Sequence, residues 1–300
     1  MNATLLPPAG SLQAWLLAIR PATLMASVVP VLVGTACAAR EGAARLGPAI
    51  AAAAAALLLQ IAANLANDAF DHAKGADAAG RLGPVRVVQA GLLGARSVLA
   101  ATSLVLFVAL AIGIYLAWVG GLPIVIVGLL AMGSAVAYTG GPFPLGYHGL
   151  GDVFVMIFFG FVAVCGTAYV QLLHVPLLAV WASMPVGALI VGILVVNNLR
   201  DIPTDTAAGK RTLAVRLGRR GALAEYAALL GLAEAVPAVL VLAGRVSLWG
   251  LLPLLSLPLA IHLVRCVARE QGRDLNLRLV QTGRLVLVHG VLFSAGIVLP

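Results

Sequence analysis

Residues 47–74 read GPAIAAAAAALLLQIAANLANDAFDHAK. From Gly47 to Ala63 the only polar side chain is Gln60, and the apolar run is continuous rather than alternating. A bilayer-crossing helix needs about 20 mostly apolar residues, and this run has that length by Ala69. Its last turns change character, with Asn64, Asn67, Asp68, Asp71 and Lys74 following in quick succession. If the helix continues through them, Asn64, Asp68 and Asp71 fall on one face at i, i+4 and i+7, and Asn67 stacks one turn before Asp71. Carboxylates at the end of a membrane helix are costly unless paired or metal-bound, so they are candidates for a functional site.

The rest of the chain repeats the apolar pattern. Of 300 residues 62% are hydrophobic and 10% charged, with a mean hydropathy of +1.06. A soluble domain is about a quarter charged, so a water-soluble enzyme, a disordered protein and a nucleic-acid-binding domain are excluded. Nine stretches are long and apolar enough to span: 15–38, 47–69, 97–117, 120–138, 151–172, 176–199, 222–243, 247–264 and 281–299. The expected fold is therefore all-α and polytopic, because a membrane barrel needs short alternating strands. The run after Arg20 ends near Ala36-Cys37-Ala38, like a signal peptide, but Pro21 and Pro30 interrupt it and it reads as a retained first span. Cys37, Cys165 and Cys266 lack disulfide or metal spacing, and the five histidines form no cluster. Of the 19 Lys and Arg residues, all but Arg40, Arg45 and Arg245 fall on one side of this nine-span topology. The positive-inside rule makes that side cytoplasmic, with the N-terminus inside and the C-terminus outside. Trp118, Trp181 and Trp249 fall near the outer ends of their spans, as an aromatic belt would place them.

A second polar segment, Asn197-Asn198-Leu-Arg200-Asp201-Ile-Pro-Thr-Asp205, ends the sixth stretch on the same side, and Lys210 and Arg211 follow it. Asn197, Asp201 and Asp205 align at i, i+4 and i+8. The two segments hold five of the seven aspartates, Asp77 included, at equivalent places four spans apart. This suggests a single membrane domain of two related four-helix halves, 15–138 and 151–264, plus a ninth helix, with the site between the halves. Oxygen ligands without Cys or paired His suit Mg²⁺, which takes one or two carboxylates plus phosphate oxygens and water. The clustered carboxylates Asp68, Asp71, Asp201 and Asp205 are therefore the candidates to hold it. Lys74, Arg81, Arg86, Lys210 and Arg211 would bind the remaining phosphate oxygens. Arg20 is either an anchor or a phosphate contact. Tyr138 and Tyr147 flank a Gly/Pro turn on the same side and line the pocket or pack at the interface. Asp152 caps the fifth helix or touches substrate, and Asn198 is a further pocket candidate. Arg219, Arg220, Arg265, Arg269, Arg273 and Arg278 read as interfacial anchors. An ion-coupled transporter is the rival class, but its coupling site belongs near mid-membrane, whereas these acids sit at one interface.

Asn67-Asp68-Ala-Phe-Asp71 and Asp201 with Asp205 resemble the two aspartate-rich signatures of the UbiA-type intramembrane prenyltransferases. Tyr138-Thr-Gly-Gly-Pro and Gly209-Lys-Arg-Thr-Leu-Ala-Val-Arg216 are most similar to the naphthoate-prenylating branch, and the resemblance runs from about 15 to about 295. It implies a nine-helix bundle with a central cavity open sideways to lipid, in the bacterial cytoplasmic (inner) membrane. It also implies a Mg²⁺-dependent transfer of a prenyl chain from polyprenyl diphosphate to 1,4-dihydroxy-2-naphthoate, with loss of the carboxylate to give demethylmenaquinone. Carried over by position, the resemblance implies Asn64, Asn67, Asp68, Asp71, Asn197, Asp201 and Asp205 as metal ligands, with the four aspartates also catalytic. A 4-hydroxybenzoate-type acceptor is the alternative within the superfamily. The family's first signature often has a further Asp four residues after the second. Here Gly75 holds that place and Asp77 follows two residues later.

Overall fold

The computed structural model describes residues 6–75 and 82–300, and among these there is helix and no strand. A short helix, α1 (Leu12–Ile19), precedes α2 (Pro21–Arg40), α3 (Leu46–Ala73), α4 (Ala95–Gly120) and α5 (Leu122–Ala137). After a Gly/Pro-rich turn come α6 (Gly151–Leu172), α7 (Leu177–Ala207), α8 (Leu213–Leu242), α9 (Leu248–Arg269) and α10 (Gly272–Val298). Eight of these are long and apolar enough to cross a membrane, and α5 is a shorter apolar helix of 16 residues. Helices α2 to α10 match the nine stretches one for one, so the chain is a multi-pass membrane protein.

The boundaries differ from the sequence reading for local reasons. The stretch 15–38 is broken at Arg20, which adopts a left-handed backbone (φ 55, ψ 70) between α1 and α2. Pro21 disfavours a right-handed helical conformation in the residue before it while suiting the first position of the next helix. Helices α3 and α7 overrun their expected ends by a turn or more, their helical backbone continuing through the Asn/Asp segments, in α7 even past Pro203. They stop near Gly75 (φ 65) and Gly209 (φ 72), where a left-handed residue is needed. The α8 helix starts at Leu213 rather than 222, with the Thr212 hydroxyl accepting from Val215 N at 3.3 Å, and kinks at Gly218 (φ 66, ψ 177). The middle of α6, Met156–Val162, is π-helical, and the first part of α9, Leu248–Ser256, is 3₁₀.

The central element is α7, the most buried of the eight long apolar helices, whereas α4 is the least buried. It packs on α8, α6 and α10, and the main apolar cluster joins α2, α6, α7, α8, α9 and α10. A second cluster joins α1, α3, the 87–93 segment and the start of α4. Lipid exerts no hydrophobic force between helices, so close approach depends on small residues. A Cβ on Gly34 of α2 would run into the Val164 carbonyl oxygen of α6, and one on Gly160 of α6 would lie 3.0 Å from Gly187 Cα of α7. Phe107, Ile114 and Trp118 of α4 point outward, as side chains facing acyl chains do.

Candidate active site

A cavity of about 570 Å³ opens between the polar ends of α3 and α7. Asn64, Asn67 and Asp71 line it from α3, and Asn197, Asn198, Asp201 and Asp205 from α7. Arg20, Arg86, Tyr138, Tyr147 and Lys210 complete its polar end. Away from that end the walls turn apolar, along the alanines of α3, Gly113 of α4, Gly128 of α5 and the aromatic Phe158 and Phe159 of the π-helical turn. A π-helical segment at such a wall fits the frequent placement of these turns at functional sites.

Asp71 is the junction of the polar end. Its Oδ2 accepts from Arg86 Nη2 at 2.7 Å, and its Oδ1 accepts from the Tyr147 hydroxyl at 2.5 Å. Lys210 Nζ, from beyond α7, reaches the same Oδ1 at 3.5 Å, so the two polar segments meet directly. The Tyr147 ring also lies beneath two ammonium groups, Lys74 at 5.2 Å and Lys210 at 4.5 Å from its centroid. Lys74, an expected diphosphate contact, does not line the cavity; it donates to the Thr139 and Gly141 carbonyls at 2.7 and 3.1 Å. Thr139 Oγ1 donates to Asn67 Oδ1 at 2.7 Å and holds that side chain toward the cavity.

Four other expected site residues are used differently. Asp68 does not line the cavity; its two oxygens accept from the Val87 and Val88 backbone N–H groups at 3.1 Å each. That grip fixes the segment presenting Arg86 to Asp71, so Asp68 holds a loop where a metal ligand was expected. Asn64 donates to the Ile19 carbonyl at 2.8 Å and to Thr23 Oγ1 at 2.9 Å, tying the Arg20 turn to α3. Arg211 is exposed and outside the lining; its backbone N–H donates to the Tyr147 carbonyl at 2.8 Å. Asp152 is buried behind the wall, and neither of its carboxylate oxygens has a hydrogen-bond partner. Arg81 and Asp77 lie outside the described residues. Thr23, Gln60 and Thr139, which hold Asn64 and Asn67, were not singled out from sequence; Thr139 is the second residue of the Tyr-Thr-Gly-Gly-Pro segment. Two expected anchors have defined partners. Arg219 donates to the Val267, Ala268 and Glu270 carbonyls at the end of α9, and Arg278 pairs with Glu270 at 2.6 Å.

The donor set suits a divalent cation held by few protein ligands. Among the described residues no three His, Cys, Asp or Glu side chains come together as a metal cage. The cavity instead offers Asp71 with Asn67 on one wall and Asp201, Asp205 and Asn197 on the other, all hard oxygen donors. That suits Mg²⁺, which binds through one or two carboxylates and completes its shell with phosphate oxygens and water. The neighbouring Arg86, Lys74 and Lys210 suit the remaining charge of a diphosphate.

Residues 27–283 match the family described as the UbiA prenyltransferase family. The chain belongs to that family. As a UbiA family member it is 40% identical over 279 residues to the 1,4-dihydroxy-2-naphthoate octaprenyltransferase of Mycobacterium tuberculosis, covering 93% of this chain and 94% of that one. The enzyme of the same name from Escherichia coli is 38% identical, with 96% of each chain covered. The UbiA fold is also found in solved structures. A UbiA homolog from Aeropyrum pernix has a TM-score of 0.67 at 20% identity, covering 90% of this chain and 96% of that one. A UbiA homolog from Archaeoglobus fulgidus bound to GPP and Mg²⁺ has a TM-score of 0.65 at 15% identity, covering 95% and 99%.

Proposed function

We propose that this protein transfers a polyprenyl chain from polyprenyl diphosphate to 1,4-dihydroxy-2-naphthoate, releasing CO₂ and diphosphate and giving demethylmenaquinol, the reduced form of demethylmenaquinone, and that it requires Mg²⁺. The observation that carries the reading is one cavity with two carboxylate-bearing walls at its polar end and apolar walls at membrane depth. A diphosphate with a long hydrocarbon tail has that same division. The full-length similarity to naphthoate octaprenyltransferases supports the acceptor.

Asn67, Asp71, Asn197, Asp201 and Asp205 would hold the metal, which neutralises charge on the departing diphosphate when bound. Arg86, Lys74 and Lys210 bind diphosphate oxygens, and Tyr147 keeps both lysines and Asp71 in register. The bond between the allylic carbon and the diphosphate oxygen breaks with its electron pair on oxygen, a charge these preset cations stabilise. The apolar walls, with Phe158 and Phe159, exclude water from the cationic allyl group. The electron-rich naphthoate ring carbon forms the new bond, and the carboxylate leaves as CO₂. The basic side, with the site, faces the cytoplasm of a bacterial inner membrane, and lipid supplies the prenyl donor sideways.

The test is direct. Purified protein in nanodiscs receives Mg²⁺, a polyprenyl diphosphate and 1,4-dihydroxy-2-naphthoate, and products are read by mass spectrometry. Prenylated, decarboxylated naphthoquinol is expected. Prenylated 4-hydroxybenzoate in a parallel reaction, with the naphthoate unused, would overturn the acceptor. The absence of Mg²⁺-dependent product with either would overturn the enzyme reading.

A further inference from the structure

Arg200 lies beside the second carboxylate wall but does not line the cavity. Its side chain is 1% exposed, and its guanidinium is committed on three sides. Nε donates to Asp201 Oδ1 at 2.8 Å; Nη2 donates to Asp201 Oδ2 at 2.5 Å and to Asn197 Oδ1 at 2.7 Å. Nη1 donates to Asn276 Oδ1 at 2.7 Å. Asn276 stands in the first turns of α10, the helix outside the two four-helix halves, and its own Nδ2 donates to the Leu82 carbonyl at 2.9 Å. The next residue, Gly83, lies directly on the guanidinium, where a Cβ would come within 2.7 Å of Nη2.

We propose that Asn276 is a positioning residue for the diphosphate site, acting through Arg200 on Asp201 and Asn197. The proposal rests on the reading of these two side chains as part of that site. A guanidinium is a rigid planar fork, and two parallel bonds to one carboxylate fix the plane of both groups. The orientation of Asp201 therefore follows that of Arg200. Arg200 in turn is oriented by two things: the Asn276 oxygen on Nη1 and the 82–83 backbone laid against its face. Asn276 holds both at once, with its oxygen on the guanidinium and its amide on Leu82. Removing its side chain leaves a buried charged donor without an acceptor and frees the loop from the guanidinium. Asp201 and Asn197 then lose their common orientation although neither has been changed.

The experiment measures binding of inorganic pyrophosphate by calorimetry, with and without Mg²⁺, to the full chain in detergent. Wild type, Asn276→Ala, Arg200→Lys and Asp71→Ala are compared, and thermal unfolding is followed for each. Asn276→Ala is expected to weaken Mg²⁺-dependent pyrophosphate binding about tenfold while unfolding within a few degrees of wild type. Arg200→Lys, which keeps the charge but not the fork, is expected to weaken it at least as much. In prenyl transfer, Asn276→Ala should raise the Mg²⁺ requirement and leave the KM for the aromatic acceptor unchanged. Wild-type affinity in Asn276→Ala overturns the proposal, whether or not Arg200→Lys folds. Failure of wild type itself to bind pyrophosphate with Mg²⁺ overturns the diphosphate reading and the proposal with it, and so is told apart from the first failure.

Discussion

Tyr147 does two separable things at once. Its hydroxyl donates to Asp71, and its ring lies under Lys74 and Lys210. Tyr147→Phe keeps the ring and removes one hydrogen bond to a charged group, worth about 1.5–3 kcal/mol. The expected result is a fall in kcat/KM of about tenfold or more in steady-state prenyl transfer. Tyr147→Leu also removes the cation–π contacts, each worth about 0.5–1 kcal/mol or more, and should fall further. Equal losses in the two variants would show that the ring contributes nothing. A second pair separates the two aspartates of the first segment. Asp71→Ala should abolish transfer in a protein that still runs as a folded monodisperse species in detergent. Asp68→Ala releases two backbone amides and should act first on stability, lowering it by about 1–3 kcal/mol in thermal unfolding. Helical spacing was enough to put Asn67 and Asp71 on one face of α3, and Asn197, Asp201 and Asp205 on one face of α7, because i, i+4 geometry is local. It could not tell Asp68 from Asp71. What differs is their partners, the Val87 and Val88 amides for one and Arg86 with Tyr147 for the other, and these arrive by tertiary folding. Arg200 was equally opaque, since as a basic residue at a helix end it matched every other anchor.

At the scale of the element, the apolar stretches gave the number and order of the spans, because twenty apolar residues have one stable form in lipid. Their ends were less legible. Hydropathy stops where polarity begins, but a helix stops where the backbone must turn left-handed, as at Gly75 and Gly209. The packing between elements rests on contacts that one methyl group can disturb. Gly34→Ala would press a Cβ against the Val164 carbonyl oxygen, a backbone atom that cannot swing aside. The expected result is a loss of about 1–3 kcal/mol, read as a lower thermal midpoint with α2 and α6 forced apart. The turn between α9 and α10 carries a pH-dependent contribution. The Arg278 guanidinium, hydrogen-bonded to Glu270, holds that carboxyl below its ordinary range. A carboxyl lowered on folding stabilises above its unfolded pKa, and the contribution is lost as pH falls through the folded value. Thermal midpoints of wild type and Glu270→Gln should therefore differ at neutral pH and converge in acid below the usual carboxylate range.

For the whole molecule, the asymmetry of basic charge predicts that the site end faces the cytoplasm. In a background with Cys37, Cys165 and Cys266 replaced by alanine, Glu41→Cys should react with an impermeant maleimide on intact cells. Arg220→Cys should react only after the membrane is opened or inverted; the reverse pattern would overturn the orientation. The two walls of the cavity come from distant parts of the chain, and the hydrogen bond from Asn276 to the Leu82 carbonyl spans 194 residues. That single contact has a meaning in time as well as in space. A ribosome releasing this chain into the membrane delivers every aspartate of the site before it delivers Asn276. The nascent protein thus holds the carboxylates of both cavity walls with Arg200 and the 82–83 loop still lacking their common tether. On the proposed role of Asn276, the site matures only when the last helix inserts, and a chain stopped short of residue 275 should enter the membrane yet fail to bind pyrophosphate with Mg²⁺.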